Sequence, residues 1–451
     1  MRVKLKPGEP MRKLMNIQIE DSDRMASEGD LPNYSLAGTG KTLSTLEAFK
    51  KAGHKRGLVL CPPIAVAMWE EEIKSWLGAD VQVLKNGGTT IRKAADFVVC
   101  AFDTAKGTQR PYIYKAFDEG AMILDEAHYL RRYDSKRTCA VFGNRTDGAG
   151  GFSEKFDQVW SLTGNPIYRH HDDLWSQLAP LFPDVLDQYG CLEYEDFVRN
   201  FCVAKLKKHH PNMEPRLTII RSQNEPIINK ILYKDIRAIR RLEAPDLPEL
   251  VTSRLFPAMG VIPSEYAKLV NKMSEGDLLK ALVSTDKDDE YMMQQVWQAV
   301  ALAKVKSGSE YIAECVRTAP VLVGVWNSSV GEAYLDALNK MGVTAKRVYG
   351  ATPQSEREAI RDAFNNGDID CIIGQMQAMG VSWNLQKASN RVVIAQDHFS
   401  PSVIEQFYKR VYRTGQKNKT YLDFFTSKHP LDMAIEKIRR QRQRSQEKSL
   451  G

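Results

Sequence analysis

No apolar run in the 451 residues reaches the about 18 residues of a membrane span, so no membrane partner is expected. The amino terminus, MRVKLKPGEPMRKLMNIQIEDSD, starts basic but has no apolar core after it, so it does not read as a secretory leader. Cysteine is sparse: seven residues (Cys61, Cys100, Cys139, Cys191, Cys202, Cys315, Cys371), odd in number and scattered. That usage suits free thiols in a reducing compartment, not a disulfide framework. Cys191, Cys202, His209 and His210 lie close in sequence, but there is no C-x-x-C pair, and ordinary roles are favoured over zinc. Internal repeats and long low-complexity stretches are missing too. Charge is not one-sided: a net +7 permits a polyanionic partner without requiring one.

What remains is a globular composition, 43% hydrophobic and 26% charged, in a chain long enough for two or three domains. Short apolar runs at 58–61 (LVLC), 97–101 (FVVCA) and 121–124 (AMIL) read as buried parallel strands joined by crossover helices. A second series follows at 321–326, 345–349, 370–373 and 391–395. The expected fold class is therefore α/β, with two parallel sheets flanked by helices. Residues 228–318 show no clear strand and read as helices and a linker, interrupted at Pro245 and Pro248. The expected domains are 1–245, a linker and helical insertion over 246–318, a second unit over 319–436, and a basic tail over 437–451. That tail, with Arg439, Arg440, Arg442 and Arg444, is either a phosphate-contacting arm or a solvated end.

Two short motifs carry chemistry. Gly38-Thr39-Gly40-Lys41-Thr42 precedes a helix-periodic stretch. A glycine turn at a helix start points backbone N–H groups at a phosphate, Lys41 reaches the β/γ-phosphates, and Thr42 can ligate Mg²⁺. Ser35 stands where the full pattern usually has glycine, and a plain structural turn is the competing reading. Asp125-Glu126-Ala127-His128 follows the run AMIL. A carboxylate at a strand's carboxyl end can hold Mg²⁺ while its neighbour orients the attacking water; the alternative is a solvated acidic turn.

Beyond these, LVLCPPIAVAMWEEEIKSW at 58–76 resembles the element after the second strand of Swi/Snf-type ATPases. LTGNPI at 162–167 is similar to their LTGTPI element, with Asn165 in place of threonine. Gly350, Arg357 and Phe364 match a G…eR…F pattern. GVSWNLQKASNRVVIAQDHFSP at 380–401 resembles GxGLNL…D.WNP, with Ser382 where glycine is commoner. Gln406 to Gln416, QFYKRVYRTGQ, matches QxxxRxxRxGQ. The chain is identified on these motifs as a member of the Swi/Snf-type ATPases of helicase superfamily two, nearest their compact, HARP-like annealing-helicase branch.

The resemblance implies two RecA-like lobes with a helical region between them, ATP and Mg²⁺ as cofactors, and a nucleic-acid partner, foremost double-stranded or branched DNA. It implies nucleotide binding by Gln18, Gly38, Thr39, Gly40, Lys41, Thr42, Gly380 and Gln406, with Thr42 and Asp125 on the metal. Catalysis falls to Lys41, Asp125 and Glu126, with Arg410 and Arg413, one helical turn apart, as cations from the second lobe. Trp69, Lys136 and Arg137 are implied contacts to the track, although Trp69 reads equally well as core. Arg240-Arg241 followed by Asp246-Leu247-Pro248 is either a family element near the lobe junction or a solvated helix face.

The expected function is an ATP-driven DNA translocase or remodeller; a strand-separating helicase and a nucleotide-dependent clamp are the alternatives. A cytoplasmic, bacterial or viral setting is expected, or a nuclear one in a eukaryote. Protein partners are not legible. No long insertion interrupts Phe364–Gly415, so no strand-splitting wedge is expected there.

Overall fold

The structure, a computed structural model, describes residues 13–87, 90–143, 150–207, 216–242, 247–262, 287–379 and 383–451, with Ser264 and Ser274 besides. It divides into two compact units. The first takes in the chain up to Ala204, Arg221–Ala244 and Gln446–Gly451; the second takes in Lys205–Ile220 and Pro245–Ser445.

In the first unit the strands β1 (Leu31–Asn33), β2 (Gly57–Cys61), β3 (Val81–Val83), β4 (Phe97–Ala101), β5 (Ala121–Asp125) and β6 (Gln158–Leu162) form one sheet, ordered β1-β6-β5-β2-β4-β3. All its pairings are parallel. β2, β4 and β5 are buried at every position, which is why they read as continuous apolar runs. Their side chains alternate between faces. Val59, Cys61, Val99 and Ile123 pack with Leu46, Phe49, Trp69 and Ile73. Leu58, Leu60, Val98 and Met122 pack on the opposite face with Phe102, Ile113 and Phe152. Three helices, α1 (Asn16–Ser27), α2 (Lys41–Lys51) and α3 (Val66–Leu77), supply much of the first layer. β1 and β3 were not expected, being only three residues long, and β1 carries Pro32.

Because every strand is parallel, the loops after β1, β5 and β6 emerge at one edge, where open α/β sheets carry their sites.

The second sheet contains β9 (Leu250–Leu255), β10 (Val321–Val325), β11 (Ala345–Val348), β12 (Cys371–Gln375), β13 (Arg391–Ile394) and β14 (Thr420–Phe425), in the order β11-β12-β10-β13-β14-β9. It too is parallel throughout. β9 corrects the expectation of a strandless stretch over 228–318. It is an edge strand, half-buried with Thr252, Ser253 and Arg254 in its middle, so it lacks the apolar run that marks a central strand. β7 (Cys202–Lys207) and β8 (Arg216–Ser222) form a separate two-stranded sheet.

The basic end is not a separate tail. Residues Pro430–Leu450 form one helix, and several of its charged side chains have partners. The buried Asp397 carboxylate takes an ion pair from Arg439 at 3.1 Å, and Arg440 pairs with Glu436 at 2.7 Å. Arg442 lies over the Phe399 ring. Asp432 accepts from fully buried Lys304 at 2.9 Å and from Ser427 at 2.7 Å. Leu431 and Ile435 are fully buried, packing with Val296 and Trp297. At the other end, Leu450 joins the first unit's cluster with Leu174, Ile228 and Ile231, and Ser449 meets Nε2 of His171 at 2.8 Å. A basic composition hid these partners, because arginine forks bind buried carboxylates and ring faces as readily as phosphates.

Candidate active site

The loop from β1 to α2 turns on Gly38 and Gly40, with φ of 89° and 85°, a left-handed backbone that suits glycine. Gly40 is also the residue before the first turn of α2, so the loop brings the helix's amino-terminal end to this edge. Lys41, the first residue of α2, folds back: its Nζ donates to the carbonyls of Ser35 at 2.6 Å and Leu36 at 3.1 Å. Buried Thr39 donates its hydroxyl to the Leu36 carbonyl at 2.8 Å, and half-buried Thr42 follows in the first helical turn. A cradle of N–H groups with an ammonium at its centre fits a polyphosphate.

Gln18 abuts this loop. Its Nε2 donates to the Gly40 carbonyl at 3.2 Å, and its Oε1 accepts from the Met15 N–H at 2.8 Å. A side chain on Gly40 would collide with it: an ideal Cβ there lies 2.0 Å from Gln18 Nε2. Gln18 therefore braces the phosphate loop from α1, with both ends of its amide already engaged.

Asp125 closes β5 and is buried. Its Oδ2 accepts a 2.8 Å hydrogen bond from Nε1 of Trp69. Burial, then the neighbouring Glu126 charge, pushes its carboxyl up to about 6, against the pull of Trp69 and Lys41. A cation bound at this carboxylate relieves that penalty, so the donor set of Asp125 and Thr42 suits Mg²⁺. Glu126 sits at φ 53°, ψ 51°, a conformation costing a non-glycine residue on the order of 1 kcal/mol. Its Oε2 accepts from Thr163 at 3.4 Å and meets His128 Nδ1 at 3.1 Å. His128 Nδ1 also lies 3.1 Å from the Thr163 hydroxyl, which accepts from the Asn165 N–H at 3.2 Å. Glu126, His128 and Thr163 are thus one hydrogen-bonded group. Gly164 lies against the phosphate loop, with Ala37 N 3.4 Å from where its Cβ would be.

Trp69 is fully buried, so it is not a track contact; its indole holds Asp125. Arg137 spends its fork on Asp103, at 2.8 and 2.7 Å, and that bond pulls the Asp103 carboxyl down to about 2. Of the three implied track residues, only Lys136 is exposed.

In the second unit the helix Pro401–Tyr408 carries half-buried Gln406 and ends at Tyr408. Arg410 and Arg413 therefore lie in the turns that follow, not on one helical face. Arg410 is buried. Arg413 donates to the Trp383 carbonyl at 3.3 Å, and burial lowers its pKa. Gln416 ties the turn together, donating to the carbonyls of Ser389 at 2.9 Å and Val411 at 3.2 Å. Arg357 is likewise a strut, with bonds to the carbonyls of Thr352, Ala378, Tyr349 and Gly350. Gly380 and Ser382 lie outside the described residues, as do His209 and His210.

One of the two readings of Arg240-Arg241 falls. Arg240 and Arg241 form no solvated helix face; the segment runs beside β1, with Ile239 bridged to Asn33 in parallel. Arg240 donates to main-chain carbonyls, which leave no mark in sequence, and Arg241 pairs with the Asp21 and Glu20 carboxylates, about 220 residues away along the chain.

A phosphate loop, an Asp-Glu pair and a Thr-Gly loop at one edge of a parallel sheet define a nucleotide-binding α/β protein with a second parallel sheet. Residues 35–240 match the SNF2-related domain and residues 305–415 the helicase conserved C-terminal domain. The chain belongs to the SNF2-related family. It is 23% identical over 444 residues to the SWI/SNF-related matrix-associated actin-dependent regulator of chromatin subfamily A-like protein 1 of Xenopus tropicalis, covering 91% of this chain and 43% of that protein. It is 22% identical to a probable global transactivator of Orgyia pseudotsugata multicapsid polyhedrosis virus, over 85% of this chain and 79% of the viral one. The chain spans about half the length of the first curated relatives it matches. Among solved structures, the Sulfolobus solfataricus SWI2/SNF2 ATPase core in complex with dsDNA aligns at a TM-score of 0.44 and 20% identity, over 94% of this chain and 90% of that one. Among the described residues no helix is long and apolar enough to cross a membrane.

Proposed function

We propose that this chain is an ATP-hydrolysing motor that moves along double-stranded DNA. The observation that carries the reading is the meeting of Lys41, Asp125, Glu126 and Thr163 at the carboxyl edge of one parallel sheet, in a chain of the SNF2-related family. Lys41 and the N–H groups at the start of α2 bind the β/γ-phosphates. Thr42 and Asp125 would hold Mg²⁺, which would supply charge neutralisation at the phosphate oxygens. Glu126 orients the attacking water, and its bond to Thr163 ties the water's position to the loop after β6. Arg410 and Arg413 are the cations for the charge that develops on the transferred phosphoryl group. The name of the Xenopus relative, a regulator of chromatin, supports DNA as the track, as does the net charge of +7. Branched DNA as a preferred substrate, and a location wherever that DNA lies, go with this reading. Turnover measured without nucleic acid and with single-stranded DNA, duplex DNA, forked DNA and RNA tests it. Duplex DNA should stimulate hydrolysis at least as well as any other; a rate indifferent to all of them would leave a clamp or a free ATPase.

A further inference from the structure

The loop that carries Lys41 is held at its root from two sides. On one side the Thr163 N–H donates to the Asn33 carbonyl at 3.1 Å. On the other, residues 239–241 run alongside. The Ile239 N–H donates to the Pro32 carbonyl at 2.9 Å and its carbonyl accepts from Tyr34 at 2.8 Å, while the Arg241 carbonyl accepts from the Leu36 N–H at 2.9 Å. The Arg241 N–H donates to Ser35 Oγ at 3.0 Å. Ser35, the departure from the usual glycine, therefore has a use: its hydroxyl receives this segment and its carbonyl receives Lys41.

The two side chains extend the hold. Arg240 Nη1 donates to the Tyr34 carbonyl and, at 3.0 Å, to the Gly164 carbonyl, joining the loops that follow β1 and β6. Arg241 clamps α1: Nε and Nη2 reach Oδ1 of Asp21 at 3.0 and 2.9 Å, and Nη2 reaches Glu20 at 2.8 Å. Asp21 is buried while Arg241 is half-buried, so removing Arg241 leaves a carboxylate with little access to water. α1 in turn carries Gln18, which braces Gly40. Beyond Ala244 the chain belongs to the second unit, so the last residues of the first unit before that junction are bonded to the phosphate loop.

We propose that Arg240 and Arg241 are positioning residues of the nucleotide site: Arg240 fixes the spacing between the phosphate loop and the Thr163–Gly164 loop, and Arg241 fixes α1 against both. The inference rests on the proposed ATPase reading. Each acts through other residues: Arg240 through the Tyr34 and Gly164 carbonyls of the two loops, and Arg241 through the Asp21 and Glu20 carboxylates of α1. Misplacing a reacting group by about 1 Å costs on the order of 10²-fold, whereas binding spread over many phosphate contacts is less sensitive.

The test compares Arg240→Ala, Arg240→Lys and Arg241→Ala with the unmodified full chain in kcat, KM, binding of a fluorescent ATP analogue and melting temperature. Arg240→Ala should lower kcat by ~10–10²-fold while affinity for the analogue stays within about threefold of the parent's. Arg240→Lys should recover most of the loss, because both bonds come from one nitrogen and an ammonium can replace it. Arg241→Ala should fall between, since its main-chain bonds remain. Should Arg240→Ala fail to fold, Arg240→Gln carries the same comparison. Parental kcat in Arg240→Ala overturns the proposal, and so does loss of kcat and analogue binding in equal measure, or a lysine variant no better than alanine. Lys41→Ala separates the two failures. If the parent turns over, Lys41→Ala does not, and Arg240→Ala matches the parent, only the positioning role is lost. If the parent itself neither binds nor hydrolyses ATP, the ATPase reading fails first.

Discussion

The indole of Trp69 donates its one N–H to Oδ2 of Asp125 at 2.8 Å, inside the sheet's core. A buried carboxylate that has lost its water is raised in pKa, and here it reaches about 6. The folded chain therefore keeps a proton on Asp125 at pH values where the unfolded chain has released it. Stability from this group is fully present below its ordinary value of 3.8 and is lost as pH rises through about 6. Metal binding runs the other way, since Mg²⁺ competes with the proton, and Mg²⁺-dependent turnover should fail as pH drops through about 6. Trp69→Phe removes a donor that favours the charged form, so the acid limb should move to higher pH. An acid limb in the phenylalanine variant at the parental pH would separate Trp69 from the metal site.

Lys41→Ala should lower kcat by at least ~10²-fold, as loss of one preorganised electrostatic contact does. The melting temperature should change little: the lysine is only half-buried, and its internal partners are the Ser35 and Leu36 carbonyls of the same loop. Near-parental turnover in the folded variant would remove the nucleotide from this loop.

Much of this site is legible in sequence, for physical reasons that differ by residue. The GTGKT turn and the Asp-Glu pair announce themselves because their chemistry demands those side chains. β2, β4 and β5 are visible because both faces are buried, whereas β9 at a sheet edge is half-buried and polar in its middle. Trp69 was ambiguous because an indole is both a core filler and a polar handle; only the strand end it packs against decides. Arg410 and Arg413 have helical spacing, yet the helix stops at Tyr408, and Gly415 continues the turn at φ 92°. Arg240 stays undecided in sequence since its partners are the carbonyls of Tyr34 and Gly164.

Arg413→Ala should abolish turnover while leaving ATP binding largely intact, since loss of an arginine finger costs ~10³–10⁵ in kcat. Its side chain donates to the Trp383 carbonyl, so Arg413→Lys serves as a control for local packing: lysine keeps the charge and loses the fork. Unchanged kcat in the alanine variant would exclude it from the phosphoryl group.

Truncation after Glu436 tests the basic end as structure. It removes Arg439, the ion-pair partner of buried Asp397, and Leu450 from the first unit's core. Leaving a buried carboxylate without its cation costs about 3–5 kcal/mol, so both the truncated chain and Arg439→Ala should melt well below the parent. Burial already raises the Asp397 pKa against the pull of Arg439. In Arg439→Ala it should rise further, and the deficit should shrink as pH falls and the carboxyl takes up a proton. Parental melting with a flatter salt dependence of DNA binding would instead favour a phosphate-contacting arm.

Translocation along an intact duplex and separation of its strands make different demands on the chain. Backbone contacts alone can carry a motor along a duplex, because the phosphates repeat regularly and no base pair need break. Splitting base pairs needs a wedge, and among the described residues the ribbon β7–β8 is a feature outside both large sheets with exposed apolar side chains. It exposes Leu206 (71%), Leu217 and Ile220. Those side chains lie along the strands. Duplex DNA is therefore expected to stimulate ATP hydrolysis at least as well as single strands. The chain should displace a third strand from a triplex or reanneal a bubble, yet unwind a plain fork poorly. Leu206→Ser should leave triplex displacement and ATPase rate unchanged. Efficient ATP-dependent unwinding of a long fork, lost in Leu206→Ser while DNA-stimulated hydrolysis persists, would make the ribbon a wedge and the chain a strand-separating helicase.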